Sequence, residues 1–131
     1  KLHTIWGAQL FQNSGSELDQ MSALIALHHH ENWDGSGYPG SLVGTYDINC
    51  ETGPLGKGLE KENIPIYARI VKIADVYDAL VSQRVYKQAW DERDALNNLE
   101  QHSGTHFDPL LIEHFFQIYK TVQAIEKKYQ D

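Results

Sequence analysis

Ala26-Leu27-His28-His29-His30-Glu31-Asn32-Trp33-Asp34-Gly35-Ser36-Gly37-Tyr38-Pro39 is the stretch on which the reading of the fold turns. It begins as a helix, ends as a glycine-rich turn, and carries three consecutive histidines at the junction. Upstream, Leu18, Met21, Leu24 and Ile25 recur at helical spacing and make an apolar face. Gly35, Gly37 and Pro39 do not continue a helix comfortably. His29 and His30 therefore belong to the last turn, where side chains leave a bundle and can reach a cleft. Neighbouring helical positions differ by about 100°. Two adjacent imidazoles seldom grip one ion well, but they can serve two ions side by side. The plainer account is a solvated helix end. A cloning tag does not fit, because the run is internal and only three residues long.

The residues around the histidines divide by position. His28 extends the Leu18-Met21-Ile25 stripe and reads as a core histidine or a brace, not a ligand. Glu31 is placed to orient a ligand imidazole through its second ring nitrogen, or equally to be a solvated helix-end carboxylate. Asp34 is suited to bracing the glycine-rich turn.

Outward from this stretch, the chain reads as helices. Residues 2–12 predict a helix with Leu2, Ile5, Trp6 and Leu10 toward the core. Ser16 is the expected N-cap of a second helix running to about His30, with Glu17 and Asp19 complementing its dipole. Residues 41–63, rich in glycine, read as a long insertion loop. Pro65 opens a third helix that continues to about Ser82. Its residues are apolar nearly all round, which predicts a buried helix. Asp75 and Asp78 lie one turn apart in it. A carboxylate buried without compensation costs several kcal/mol, so a cation is the economical partner for Asp75. Asp78 is assigned to bracing or to an ion pair with Arg69 or Arg84. A structural ion-pair network is the alternative for both aspartates. Asp91 opens a fourth helix, and Asp108-Pro109 is a strong start for a fifth, with Leu111, Phe115, Ile118, Val122 and Ile125 as its core stripe. His102, His106 and His114 are read as structural. The expectation is one all-α domain over residues 1–131, a helical bundle of about five helices.

Composition supports a folded domain. The 131 residues are 41% hydrophobic and 11% aromatic, enough for a core. No apolar run approaches a membrane span, and no secretory signal is visible. Cys50 is the single cysteine, which excludes an internal disulfide framework and suggests a reducing, cytoplasmic compartment. The net charge of −7 argues against a broad DNA-binding face, though not against a small phosphorylated ligand.

Several segments together resemble one family. His29-His30-Glu31-Asn32-Trp33-Asp34-Gly35-Ser36-Gly37-Tyr38-Pro39 resembles the HHE…DGxGYP signature of HD-GYP domains. Lys1 to Ala8 resembles that family's "H…GA" helix, and Arg69 to Leu80 its "RI..IAD.YDAL" helix. Arg84-Val85-Tyr86-Lys87 resembles "R.YK", and Gly104 to Pro109 resembles "G..FDP". The family's members are bacterial phosphohydrolases that cleave cyclic di-GMP.

The resemblance implies a function. His3, alone an ordinary partly buried histidine, falls where a metal ligand is expected. The implied ligands are His3, His29, His30 and Asp75. They would hold two or three divalent ions in a complete domain, iron or manganese before zinc or nickel. Arg84 and Lys87 would hold phosphate. Tyr38 would stack on a base or bond the ligand, or else pack on its own turn or serve a partner surface. Metal-activated water would attack phosphorus in line, giving the linear dinucleotide and then GMP. Related cyclic dinucleotides are further candidate substrates.

One departure qualifies this expectation. No His is followed by Asp in these 131 residues, whereas the family is named for that dipeptide. The chain is therefore expected to be the C-terminal part of such a domain, with little activity alone. Two other readings stand beside it. One is a non-catalytic module whose Gly-Tyr-Pro turn docks on a signalling partner. The other is an HD-type nucleotide phosphohydrolase with a different substrate. Separately from either reading, a homodimer is a candidate assembly.

Overall fold

Asp91 and Asp108 start helices by the mechanism their positions predict. In the computed structural model the Asp91 carboxylate accepts the backbone N–H of Arg93 at 2.9 Å, and Asp108 accepts that of Leu110 at 2.9 Å. Each thereby satisfies a donor that the first helical turn leaves unpaired. The structure describes residues 1–11, 15–42, 56–83 and 88–129. Most of the expected insertion loop, with Cys50, lies outside the described residues, as do Arg84 and Lys87.

Six α-helices stand among the described residues, and no strand does. They are α1 (Leu2–Gln9), α2 (Glu17–His28), α3 (Ile66–Val81), α4 (Glu92–Gln101), α5 (Pro109–Gln117) and α6 (Tyr119–Tyr129). The all-helical expectation holds. The last predicted helix is divided in two at Ile118, whose φ of −97° and ψ of 6° leave the helical range. Both halves still reach the core, through Leu111 and Phe115 of α5 and Tyr119 and Val122 of α6.

α3 is the axis of the arrangement, packed against α2, α4 and α5. Its Ile73 and Tyr77 form the core with Leu99, Phe107 and Ile112. The expectation that α3 is buried all round is corrected. Ala68, Ile73, Tyr77 and Leu80 are inside, but Ile66, Tyr67 and Ile70 are exposed. Asp75 and Asp78 lie on the exposed flank too, so the desolvation argument for a cation at Asp75 does not apply. Apolar composition shows that a helix can be buried on any side. The packing partners determine which side is.

The same correction applies to α1. Ile5 and Ala8 are buried, whereas Trp6 is 47% exposed and Leu10 more so. α1 packs on α2, at close range. A Cβ added at Gly7 would meet the Cβ of Ala26 at 3.3 Å. This crossing carries His3 to the end of α2.

Candidate metal centre

α2 ends where the sequence turns from apolar spacing to histidine. His29 is its C-cap, with its backbone N–H on the Ile25 carbonyl at 3.0 Å. Its ring Nδ1 lies 3.1 Å from the Ile25 oxygen and 3.0 Å from the Ala26 oxygen. Carbonyl oxygens only accept, so Nδ1 carries the proton. Nε2 of His29 is then the nitrogen with a free lone pair, the form a metal requires.

Three imidazoles converge here. One nitrogen from each of His3, His29 and His30 lies within 4.8 Å of the others. The ring centroids of His29 and His30 are 4.0 Å apart, and His3 stands 5.8 and 5.1 Å from them. Tyr38 returns over the site and stacks on His30 at 4.9 Å, with its ring 6.4 Å from His3. Burial lowers the His30 pKa to about 4, reinforced by His29, His3 and Lys72 and opposed by Asp75. The His3 pKa is lowered as well, chiefly by burial. Rings held neutral at pH 7 are ready donors, because metal binding requires the deprotonated form. The donor set therefore fits a transition-metal cation.

The other predicted residues fall at different distances from this centre. Asp75 is not within the group formed by the three imidazoles, although its charge reaches His30. Glu31 is 1% exposed. Its carboxylate accepts the backbone N–H of Gly40 at 2.5 Å and of Leu59 at 3.0 Å, with Nδ1 of buried His28 at 3.5 Å. It fastens the segment 56–61 onto the Gly-Tyr-Pro turn. The approach there is close enough that a Cβ on Gly58 would lie 2.2 Å from the Gly35 oxygen. Asp78 accepts the Ser82 hydroxyl at 3.0 Å. Of the two partners considered for an Asp78 ion pair, Arg69 bonds Asp108 instead, at 2.6 Å, and Arg84 lies outside the described residues.

Lys72 was missed by the sequence reading. Its ammonium is mostly buried and donates to the Glu31 carbonyl at 2.7 Å and to Asn32 Oδ1 at 2.6 Å. Burial lowers its pKa to about 8, against the opposing charges of Glu31, Asp34 and Asp75. The available signal was a lone lysine amid the apolar run Ile70-Val71-Lys72-Ile73-Ala74. His106, read only as structural, lies close enough to Lys72 and Asp34 for its pKa to respond to both, although burial is the main cause that lowers it. Its backbone carbonyl accepts the N–H of Trp33 at 3.2 Å.

A family profile described as HD domain matches residues 1–80, and a second of the same description matches residues 52–111. The chain belongs to the HD domain family. This HD domain is 35% identical over 131 residues to a cyclic di-GMP phosphodiesterase of Thermotoga maritima, covering 100% of this chain and 31% of that protein. It is 43% identical over 113 residues to the cyclic di-GMP phosphodiesterase response regulator RpfG of Xanthomonas campestris, covering 86% and 25%. It is 35% identical over 129 residues to 3'3'-cGAMP-specific phosphodiesterase 2 of Vibrio cholerae, covering 98% and 22%. These matches bear out the HD-GYP resemblance. The HD domain thus spans 22–31% of the length of these relatives. The crystal structure of a cyclic GMP-AMP specific phosphodiesterase of V. cholerae shares the fold, with a TM-score of 0.61 at 21% identity. That match covers 94% of this chain and 23% of the other. Among the described residues, no helix is long and apolar enough to cross a membrane.

Proposed function

We propose that this HD domain belongs to a metal-dependent phosphodiesterase that hydrolyses a cyclic dinucleotide, with cyclic di-GMP as the first candidate and cyclic GMP-AMP next. The observation that carries the reading is the convergence of His3, His29 and His30, with donor nitrogens within 4.8 Å. The names of the relatives support the substrate class.

His29 offers Nε2, because the carbonyls behind it hold the proton on Nδ1. His3 and His30 complete the imidazole set. Asp75, whose charge His30 senses, is the proposed carboxylate ligand, and the mixed donor set favours iron or manganese. Bound divalent ions would supply Lewis acidity for in-line displacement at phosphorus. Tyr38, already stacked on His30, presents an aromatic face for a nucleobase at the edge of the site. Arg84 and Lys87 are proposed to hold phosphoryl oxygens, Arg84 as a planar fork and Lys87 as a point charge. A signalling nucleotide as substrate fits the cytoplasmic compartment suggested by the single cysteine.

In the Gly-Tyr-Pro turn Pro39 is buried, Gly37 and Tyr38 are half-buried, and the Tyr38 ring is laid on His30. This favours the catalytic reading over a docking module. The test combines metal analysis of this chain with a cyclic di-GMP hydrolysis assay on the native full-length protein, before and after His29→Ala. The expected result is bound iron or manganese, and release of linear dinucleotide that the substitution abolishes. Hydrolysis that persists unchanged in the variant would overturn the reading, as would a wild-type protein with neither metal nor activity.

A further inference from the structure

We infer that Lys72 is a positioning residue for the metal centre, holding the end of α2 through the Glu31 carbonyl and the Asn32 side chain so that His29 and His30 stand at ligating distance. This inference rests on the reading of the three imidazoles as a metal site.

The residue after His30 is gripped on both sides. The Lys72 ammonium takes the Glu31 carbonyl at 2.7 Å, while the Glu31 carboxylate takes the N–H groups of Gly40 and Leu59. From Lys72 the hydrogen bonds continue into the turn. Asn32 Oδ1 accepts from Lys72 at 2.6 Å, and Asn32 Nδ2 donates to the Ser36 hydroxyl at 2.9 Å. That hydroxyl donates in turn to Asp34 at 2.6 Å. The turn so fixed returns Tyr38 to the site, where its N–H meets the His30 carbonyl at 3.4 Å and its ring covers the imidazole. Lys72 lies on α3 and its partners lie 40 and 41 residues earlier. One side chain therefore ties the central helix to the ligand-bearing junction. Burying an ammonium is costly unless its donors are satisfied, and a leucine would pack α3 against α2 without that cost.

The sign of the effect separates this role from that of a bystander. A positive charge near a cation site repels the cation, so removing a bystander charge tightens metal binding. Removing a positioning residue loosens it, on the order of 10–100-fold for groups that orient ligands.

The experiment measures Mn²⁺ affinity of the full chain by calorimetry, under conditions where urea melts show each variant folded. Lys72→Met is expected to weaken binding at least ~10-fold, and Lys72→Arg, which keeps charge and donors, to recover part of it. Asn32→Ala leaves the lysine in place and is expected to shift affinity in the same direction. It also decides the matter if Lys72→Met does not fold. Unchanged or tighter Mn²⁺ binding in the folded Lys72→Met chain overturns the inference alone, as does unchanged binding in Asn32→Ala where that variant decides. A wild-type chain that binds no Mn²⁺ overturns the metal-centre reading and this inference with it.

Discussion

Replacing Glu31 with glutamine tests how the glycine-rich turn is held. The Glu31 carboxylate is 1% exposed and accepts two backbone N–H groups, from Gly40 and Leu59. Hydrogen bonds to a charged group contribute about 1.5–3 kcal/mol each. Glutamine keeps one oxygen, and so one neutral bond of about 1 kcal/mol, and turns its amide donor toward the other N–H. The expected loss in Glu31→Gln is therefore about 2–5 kcal/mol, a large share of a typical domain's stability. At roughly 3–5 °C per kcal/mol for a domain of this size, the melting temperature should fall by about 6–25 °C. Urea unfolding followed by circular dichroism at 222 nm measures the free energy directly. A loss below ~0.5 kcal/mol, the range of surface substitutions, would refute the assignment of Glu31 as the fastening of the segment 56–61. Glu31→Asp separates charge from reach. It keeps the carboxylate but is too short to meet both donors, and should fall between wild type and glutamine.

Two further outcomes follow from the same geometry. Arg69→Met leaves Asp108 buried and without its cationic partner. Breaking a buried pair costs about 3–5 kcal/mol, so urea unfolding should show a loss of that order, far above the surface range. In metal-free protein the His30 ring should remain neutral down to about pH 4, and NMR titration of its ring protons reads this directly. The sign for stability follows from the lowered value. Between the ordinary imidazole value and about 4, the unfolded chain holds a proton that the folded chain does not. The His30 contribution to stability is therefore lost as pH falls through that window and is level above it. The lowered pKa values of His3 and His106 act in the same direction. A chain more stable at pH 5 than at pH 7 would contradict this.

Much of the fold is legible in short stretches of sequence. The starts of α4 and α5 are specified by Asp91 and by Asp108-Pro109, because a cap acts on N–H groups two residues away. The end of α2 at the histidines is equally local, since the glycines that follow it stop helical spacing. His29 and His30 are neighbours in sequence, so their proximity required no fold to predict it. His3 was found through a family pattern, and its placement beside them depends on the crossing of α1 and α2 at Gly7 and Ala26.

What sequence by itself determined, then, is whatever is decided within about one helical turn: helix type, helix ends, the histidine junction and the glycine-rich return. Only the tertiary structure decided which apolar faces turn inward, leaving Trp6 and Ile70 outside and Ile73 and Tyr77 inside. It alone gave Arg69 to Asp108, 39 residues away, and set Lys72 on the Glu31 carbonyl across 41. Capping and periodicity are interactions of a segment with itself. Burial and the pairing of charges are interactions with whatever packs across from it, and that neighbour is known only once the helices have docked.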